Sequence, residues 1–111
     1  MDELFRVGKS FNGYPLRLVC HVTDTGLPYP AQAMFVVPKR NFKKAHDRNK
    51  LKRRMREVYR LNKPGFYQAL EQQDQKLVLA YIYTGKKQED FPAIEKAVLK
   101  LMKLALKALS E

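Results

Sequence analysis

The sequence predicts an α+β fold: one sheet with two long helices packed on it, in a single domain spanning residues 1–111. Three observations carry that prediction. Strand-like and helix-like segments interleave along the chain, so they must share one core. Two segments, near residues 42–61 and 92–109, carry apolar positions at helical spacing opposite a cationic side. A length of 111 residues suits one domain with one modest core.

Taken in order, Asp2–Arg6 reads as the last turn or two of a helix. The Asn12–Gly13 pair within Phe11–Tyr14 suits a tight hairpin turn, so a short strand precedes it. Tyr14–Val22 alternates Leu16, Leu18 and Cys20 with Arg17 and Val19, as a strand does. Asp24–Pro30 is a Gly- and Pro-containing loop, and Ala31–Val37 is the next strand, expected to pair antiparallel with its predecessor. Pro38 stops the sheet. Asn41 suits a helix N-cap, the helix is expected over Phe42–Leu61, and Asn62, Pro64 and Gly65 are expected to end it. Phe66–Asp74 is open between a turn of helix and an ordered loop. Gln75–Thr84 is apolar on both sides, as a central strand covered on two faces would be. Gly85–Asp90 is a polar loop, and Pro92 suits the first turn of a final helix running to about Leu109.

Formal net charge is +11, and its distribution is more informative than its size. Eleven Lys and Arg lie between Lys39 and Arg60 against two acids, Asp47 and Glu57, so this segment holds nearly all the excess. That pattern favours a polyanionic partner. A merely solvated helix would mix in more Glu for i,i+4 pairs. At 100° per residue, Asn49, Lys52, Arg53, Arg56 and Arg60 form one stripe. Leu51, Met55 and Val58 face elsewhere, with Arg48 and Tyr59 at the border. Lys50, Arg54 and Glu57 occupy a third side, where Glu57 is expected to pair with Arg53 or Arg54. Lys43 and Lys44 are expected in the first helical turn, where cations oppose the helix dipole unless a phosphate binds there. Lys96, Lys100, Lys103 and Lys107 form a stripe on the last helix, read as a solvated face opposite the core.

Several function classes are excluded or disfavoured. Cys20 is the only cysteine, which rules out an internal disulfide and a Cys-based zinc site and fits a reducing, cytoplasmic setting. The N-terminal MDELFRVGKSF has no apolar stretch of signal-peptide type, and LVLAYIY (Leu77–Tyr83) is too short to span a bilayer. No catalytic motif occurs, and His21 and His46 read as structural or RNA-facing.

The segment PKRNFKKAHDRNKLKRRMREVYRLNK (Pro38–Lys63) resembles the signature of the bacterial ribonuclease P protein subunit family. Lys39, Arg40, Asn41, Lys43, Lys44, Ala45, Arg48, Asn49, Lys52, Arg53, Arg56 and Glu57 match the family pattern. ELFRVGKSF, YPLRLV and the strand-then-helix ending also look like the family. Lys50 stands at the third position of the family's Arg-Asn-Arg core, where the family has arginine; it keeps the charge and loses the planar fork. The family has a further N-terminal stretch, so the first helix is expected to be shortened here.

The resemblance implies an αβββαβα order with a left-handed βαβ crossover through the basic helix, as in ribosomal protein S5 domain 2-like folds. It implies an endoribonuclease whose catalytic groups lie in an RNA subunit. That RNA uses Mg²⁺ to remove the 5′ leader of precursor tRNA, and no stable protein partner or membrane is required. RNA-subunit binding is then expected of Arg48, Asn49, Lys50, Lys52, Arg53 and Arg56, with Lys43 and Lys44. The family's leader cleft implies a second surface, for which Phe5, Phe11, Val19, Phe35, Lys39 and Arg40 are the candidates, since bases stack on aromatics while cations track phosphates. For Phe11 and Phe35, a core position is the stronger reading. The alternatives are a non-enzymatic RNA-binding protein such as a ribosomal protein, a DNA-reading helix, and a membrane-surface protein.

Overall fold

A computed structural model describes residues 9–22, 30–74 and 76–110. The expected helical turns at Asp2–Arg6, the candidate Phe5 and most of the Asp24–Pro30 loop lie outside the described residues. The element order is β1 (Lys9–Gly13), β2 (Leu16–Val22), β3 (Ala31–Val36), α1 (Ala45–Gln72), β4 (Leu77–Tyr83) and α2 (Phe91–Ser110).

β1 and β2 form an antiparallel hairpin, with Phe11 opposite Leu18 and Gly13 opposite Leu16. The turn is Tyr14–Pro15, joined by a cis peptide bond, and not the expected Asn12–Gly13 pair, which lies inside β1. Gly13 serves a different need: a Cβ there would sit 3.3 Å from Leu101 Cγ, so its absence lets α2 approach the end of β1.

The four strands run in the order β1-β2-β4-β3. This corrects the expected β2–β3 pair. β4 lies between them, antiparallel to β2 (Leu18 opposite Tyr81) and parallel to β3 (Phe35 opposite Tyr81). Parallel neighbours need a crossover, and α1 supplies it. β4 shares the interior of the sheet with β2, and every side chain from Leu77 to Tyr83 is apolar or aromatic, whereas the edge strand β3 carries Gln32.

The two helices cover one face of the sheet. Leu16, Leu18, Cys20, Leu77, Leu79, Tyr81 and Tyr83 form the main core with buried residues of both helices. The other face holds a small separate cluster of strand residues, Val19 and Ala80 with Met34, Val78 and Ile82 beside them. Helical cover on both faces of β4, as its two apolar sides suggested, is therefore not found among the described residues.

α1 begins at Ala45 with Lys44 at its N-cap and no side-chain cap. The expected Asn41 cap instead lies in a turn, its N–H donating to Pro38 O at 3.2 Å. The helix also runs 11 residues beyond the expected stop at Leu61, through Pro64, to Gln72. Pro64 forfeits one intrahelical bond. Burial of Phe66 and Leu70 offsets that loss, since both pack in the core. The stop comes at Asp74, whose φ of 53° is left-handed and whose N–H donates to Glu71 O. α2 starts as expected near Pro92, with the Ala93 N–H donating to Asp90 Oδ1 at 3.1 Å as at an N-cap.

Candidate nucleic-acid interface

α1 docks through Leu51, Met55, Val58, Tyr59, Phe66 and Leu70. On its outer side, His46, Asn49, Lys50, Arg53 and Arg56 line an open concavity of about 300 Å³. No carboxylate is among these five. Arg53 and Arg56 are exposed and have no hydrogen-bond or ion-pair partner among the described residues.

The other members of the expected strip are placed differently. Lys50 belongs to the concavity, not to a third side with Arg54 and Glu57. Lys52 is half-buried and does not line it. Arg48 turns back: its guanidinium donates to Phe42 O at 2.7 Å and Lys43 O at 2.9 Å. It thereby holds the segment that presents Lys43 and Lys44, which are exposed and precede the helix instead of occupying its first turn. Glu57 pairs with Arg60, three residues on, and not with Arg53 or Arg54. That guanidinium holds the Glu57 carboxyl below its usual range. Arg54 faces the 84–90 loop and donates to Glu89 O at 2.8 Å.

The same loop is held from the sheet. The Tyr83 hydroxyl donates to Lys87 O and accepts the Glu89 N–H at 2.8 Å, and burial pushes its phenol pKa up. Tyr83→Phe removes both bonds while keeping the ring against Phe42, 5.6 Å away. The expected cost is about 1–2 kcal/mol in a denaturant titration.

The candidates for a second surface do not form one platform. Phe11 and Phe35 are half-buried on the helix-covered face, whereas Val19 is buried on the opposite face against Ala80. Phe11 and Phe35 also lie on opposite edge strands, three strand spacings or about 14 Å apart. Phe35 stacks on Tyr81 (5.7 Å, 11°) and meets Tyr59 edge-on (5.7 Å, 71°). Lys39 and Arg40 are exposed just beyond the end of β3.

Two further residues at the β3 side of α1 were not read from the sequence. The Tyr67 hydroxyl donates to Ala31 O at 2.7 Å, and Lys63 Nζ stands 5.4 Å from the Tyr67 ring centre. Their i,i+4 spacing is a visible signal only once the helix continues past Pro64.

Fold and site together define a class: a small basic α+β protein with a cationic helix face open to a polyanion. A model of the ribonuclease P family matches residues 1–106, and the chain belongs to that family. It is 31% identical over 100 residues to the ribonuclease P protein component of Porphyromonas gingivalis strain W83, covering 90% of this chain and 73% of that protein. The RNase P protein of Thermotoga maritima, solved in complex with 1-(4-fluorophenyl)-2-thiourea, superposes with a TM-score of 0.73 at 27% identity, covering 91% of this chain and 89% of that one. The Staphylococcus aureus RNase P protein shares the fold, with a TM-score of 0.75 at 17% identity and 94% and 86% coverage. Membership implies an endoribonuclease holoenzyme that contains RNA and acts in tRNA processing.

Proposed function

We propose that this chain is the protein subunit that binds the catalytic RNA of ribonuclease P and the 5′ leader of precursor tRNA, promoting removal of the leader. The concavity of His46, Asn49, Lys50, Arg53 and Arg56 carries the reading. Three cations and a neutral amide without an opposing carboxylate favour phosphates, and each phosphate neutralised releases counterions. Lys43 and Lys44 extend that surface. Leader contacts fall to the β3 edge: Lys63 and Tyr67 of α1 stand by its first residue, Ala31, Phe35 lies toward its other end, and Lys39 and Arg40 follow it.

Catalysis is assigned to the RNA. Among the described residues, no three His, Cys, Asp or Glu side chains come together as a metal site requires. Mg²⁺ is assigned with catalysis to RNA and substrate, where it would activate the attacking water and stabilise the leaving oxygen. This chain's part is to screen phosphate repulsion between two RNAs and to orient the leader. No helix among the described residues is long and apolar enough to cross a membrane, which is compatible with a cytoplasmic site of action.

The test is reconstitution. Added to the catalytic RNA at low Mg²⁺, the full chain is expected to restore cleavage of precursor tRNA at the 5′ end of the mature sequence. Binding to that RNA without restored cleavage would support the ribosomal-type alternative.

A further inference from the structure

A second concave surface lies away from the cationic concavity, between the Tyr14–Pro15 turn and α2. It measures about 240 Å³. Its floor is made of small residues, Gly13, Ala93 and Ala97; Tyr14 and Pro15 form one wall, and Lys96 and Lys100 stand on the rim. Tyr14 is 68% exposed, the most exposed of the large hydrophobic side chains described.

That exposure is built in. The two-residue turn places Tyr14 outside the sheet. Gly85 leaves room beneath it: a Cβ there would lie 3.0 Å from Pro15 Cβ and 3.4 Å from the Tyr14 hydroxyl. The hydroxyl donates to Glu89 Oε1 at 3.5 Å, which engages the one carboxylate in the cleft. Glu89 also accepts the Arg54 bond on its carbonyl, so a single residue ties this cleft to α1. Lys96 and Lys100, with Lys103 following on the same stripe, are exposed and have no partner among the described residues.

We infer that this cleft is a second RNA contact, taking one nucleotide of a single strand with its base on Tyr14 and its flanking phosphates on Lys96 and Lys100. An aromatic ring beside cations above a shallow floor of small residues suits a flat base on a charged backbone. An acidic peptide would use the lysines but leave the ring and the floor idle. The inference rests on the RNA-binding reading above and adds a surface that reading does not use.

The experiment is fluorescence anisotropy of the full chain with a labelled oligouridylate, at several salt concentrations, with an oligoglutamate peptide of equal length as competitor. Tyr14→Ala is expected to weaken binding about five- to tenfold, while Tyr14→Phe binds as the parent does. A purely structural role of the hydroxyl on Glu89 would make Tyr14→Phe as weak as Tyr14→Ala, and that result overturns the inference. Lys96→Ala with Lys100→Ala is expected to lower the salt slope by about 1.4. Parent affinity and slope in these variants, with loss confined to Arg53→Ala/Arg56→Ala, would overturn the cleft and leave the assignment of α1 standing. Stronger binding of oligoglutamate than of oligouridylate would also overturn it. No binding of either catalytic RNA or oligouridylate by the parent chain would overturn both readings.

Discussion

Replacing Arg53 and Arg56 together with alanine is expected to weaken binding of the catalytic RNA about thirtyfold and to flatten its salt dependence. Both guanidiniums are exposed in the concavity, and no carboxylate competes for them. Two lost charge-assisted contacts of about 1 kcal/mol each correspond to that factor. Each phosphate no longer neutralised lowers the log–log salt slope by about 0.7–0.9, so the pair removes about 1.4–1.8. The fold should be unaffected, because neither side chain has a hydrogen-bond or ion-pair partner among the described residues. A titration between low and high salt measures both quantities. A slope equal to that of the parent chain would take α1 out of the interface. Arg48→Ala is the instructive contrast: it loses two backbone carbonyl contacts, so its effect should include a loss of stability.

Phe66→Ala is expected to be the most damaging single truncation outside the sheet, at about 3–5 kcal/mol. Phe66 is 3% exposed and meets Tyr59 edge-on at 6.5 Å. With Leu70 it offsets the bond that Pro64 forfeits, so its loss removes the reason for α1 to continue past residue 64. Denaturant unfolding reads the stability. Amide exchange should show residues 65–72 losing protection more than residues 45–60, and equal loss along the helix would contradict the account.

The same residue explains how far the interface could be read from sequence. With α1 ended at Leu61, only Leu51, Met55 and Val58 define its buried side, and the opposite side takes in Lys52. The real helix is also held by Tyr59, Phe66 and Leu70, which moves the centre of the buried arc by roughly 40° at 100° per residue. Lys50 then turns into the concavity and Lys52 onto the flank. The density of cations was plain in the chain, while their facing depended on contacts beyond a proline that local rules read as a stop.

Other misses share that origin. Asn12–Gly13 carries the local signature of a turn, but Gly13 answers to Leu101, 88 positions away. β2 and β3 are separated by a short loop and look like a hairpin, yet a wholly apolar strand made much later competes for the place between them. Asn41 has the chemistry of a cap, but Arg48 fixes the neighbouring carbonyls and the helix opens at Ala45. What was legible rested on signals within one element: the alternation of β2, the unbroken apolar run of β4, Pro92 at the start of α2, and the stripe of its outward lysines. The 5.7 Å contact of Phe35 with Tyr59 joins positions no local pattern connects.

The insertion of β4 has a consequence for how the molecule is made. Until residue 83 leaves the ribosome, β3 lacks the only strand neighbour it has among the described residues and β2 has one bare edge. The cationic helix is therefore synthesised before the platform it docks on is complete, and its charge is available to any nearby RNA while its apolar side is still uncovered. Late closure of this kind couples assembly to synthesis of the later elements: a ribosome stalled between residues 72 and 77 would hold a sticky, strongly basic intermediate, and synthesis of β4 and α2 converts it into the closed sheet.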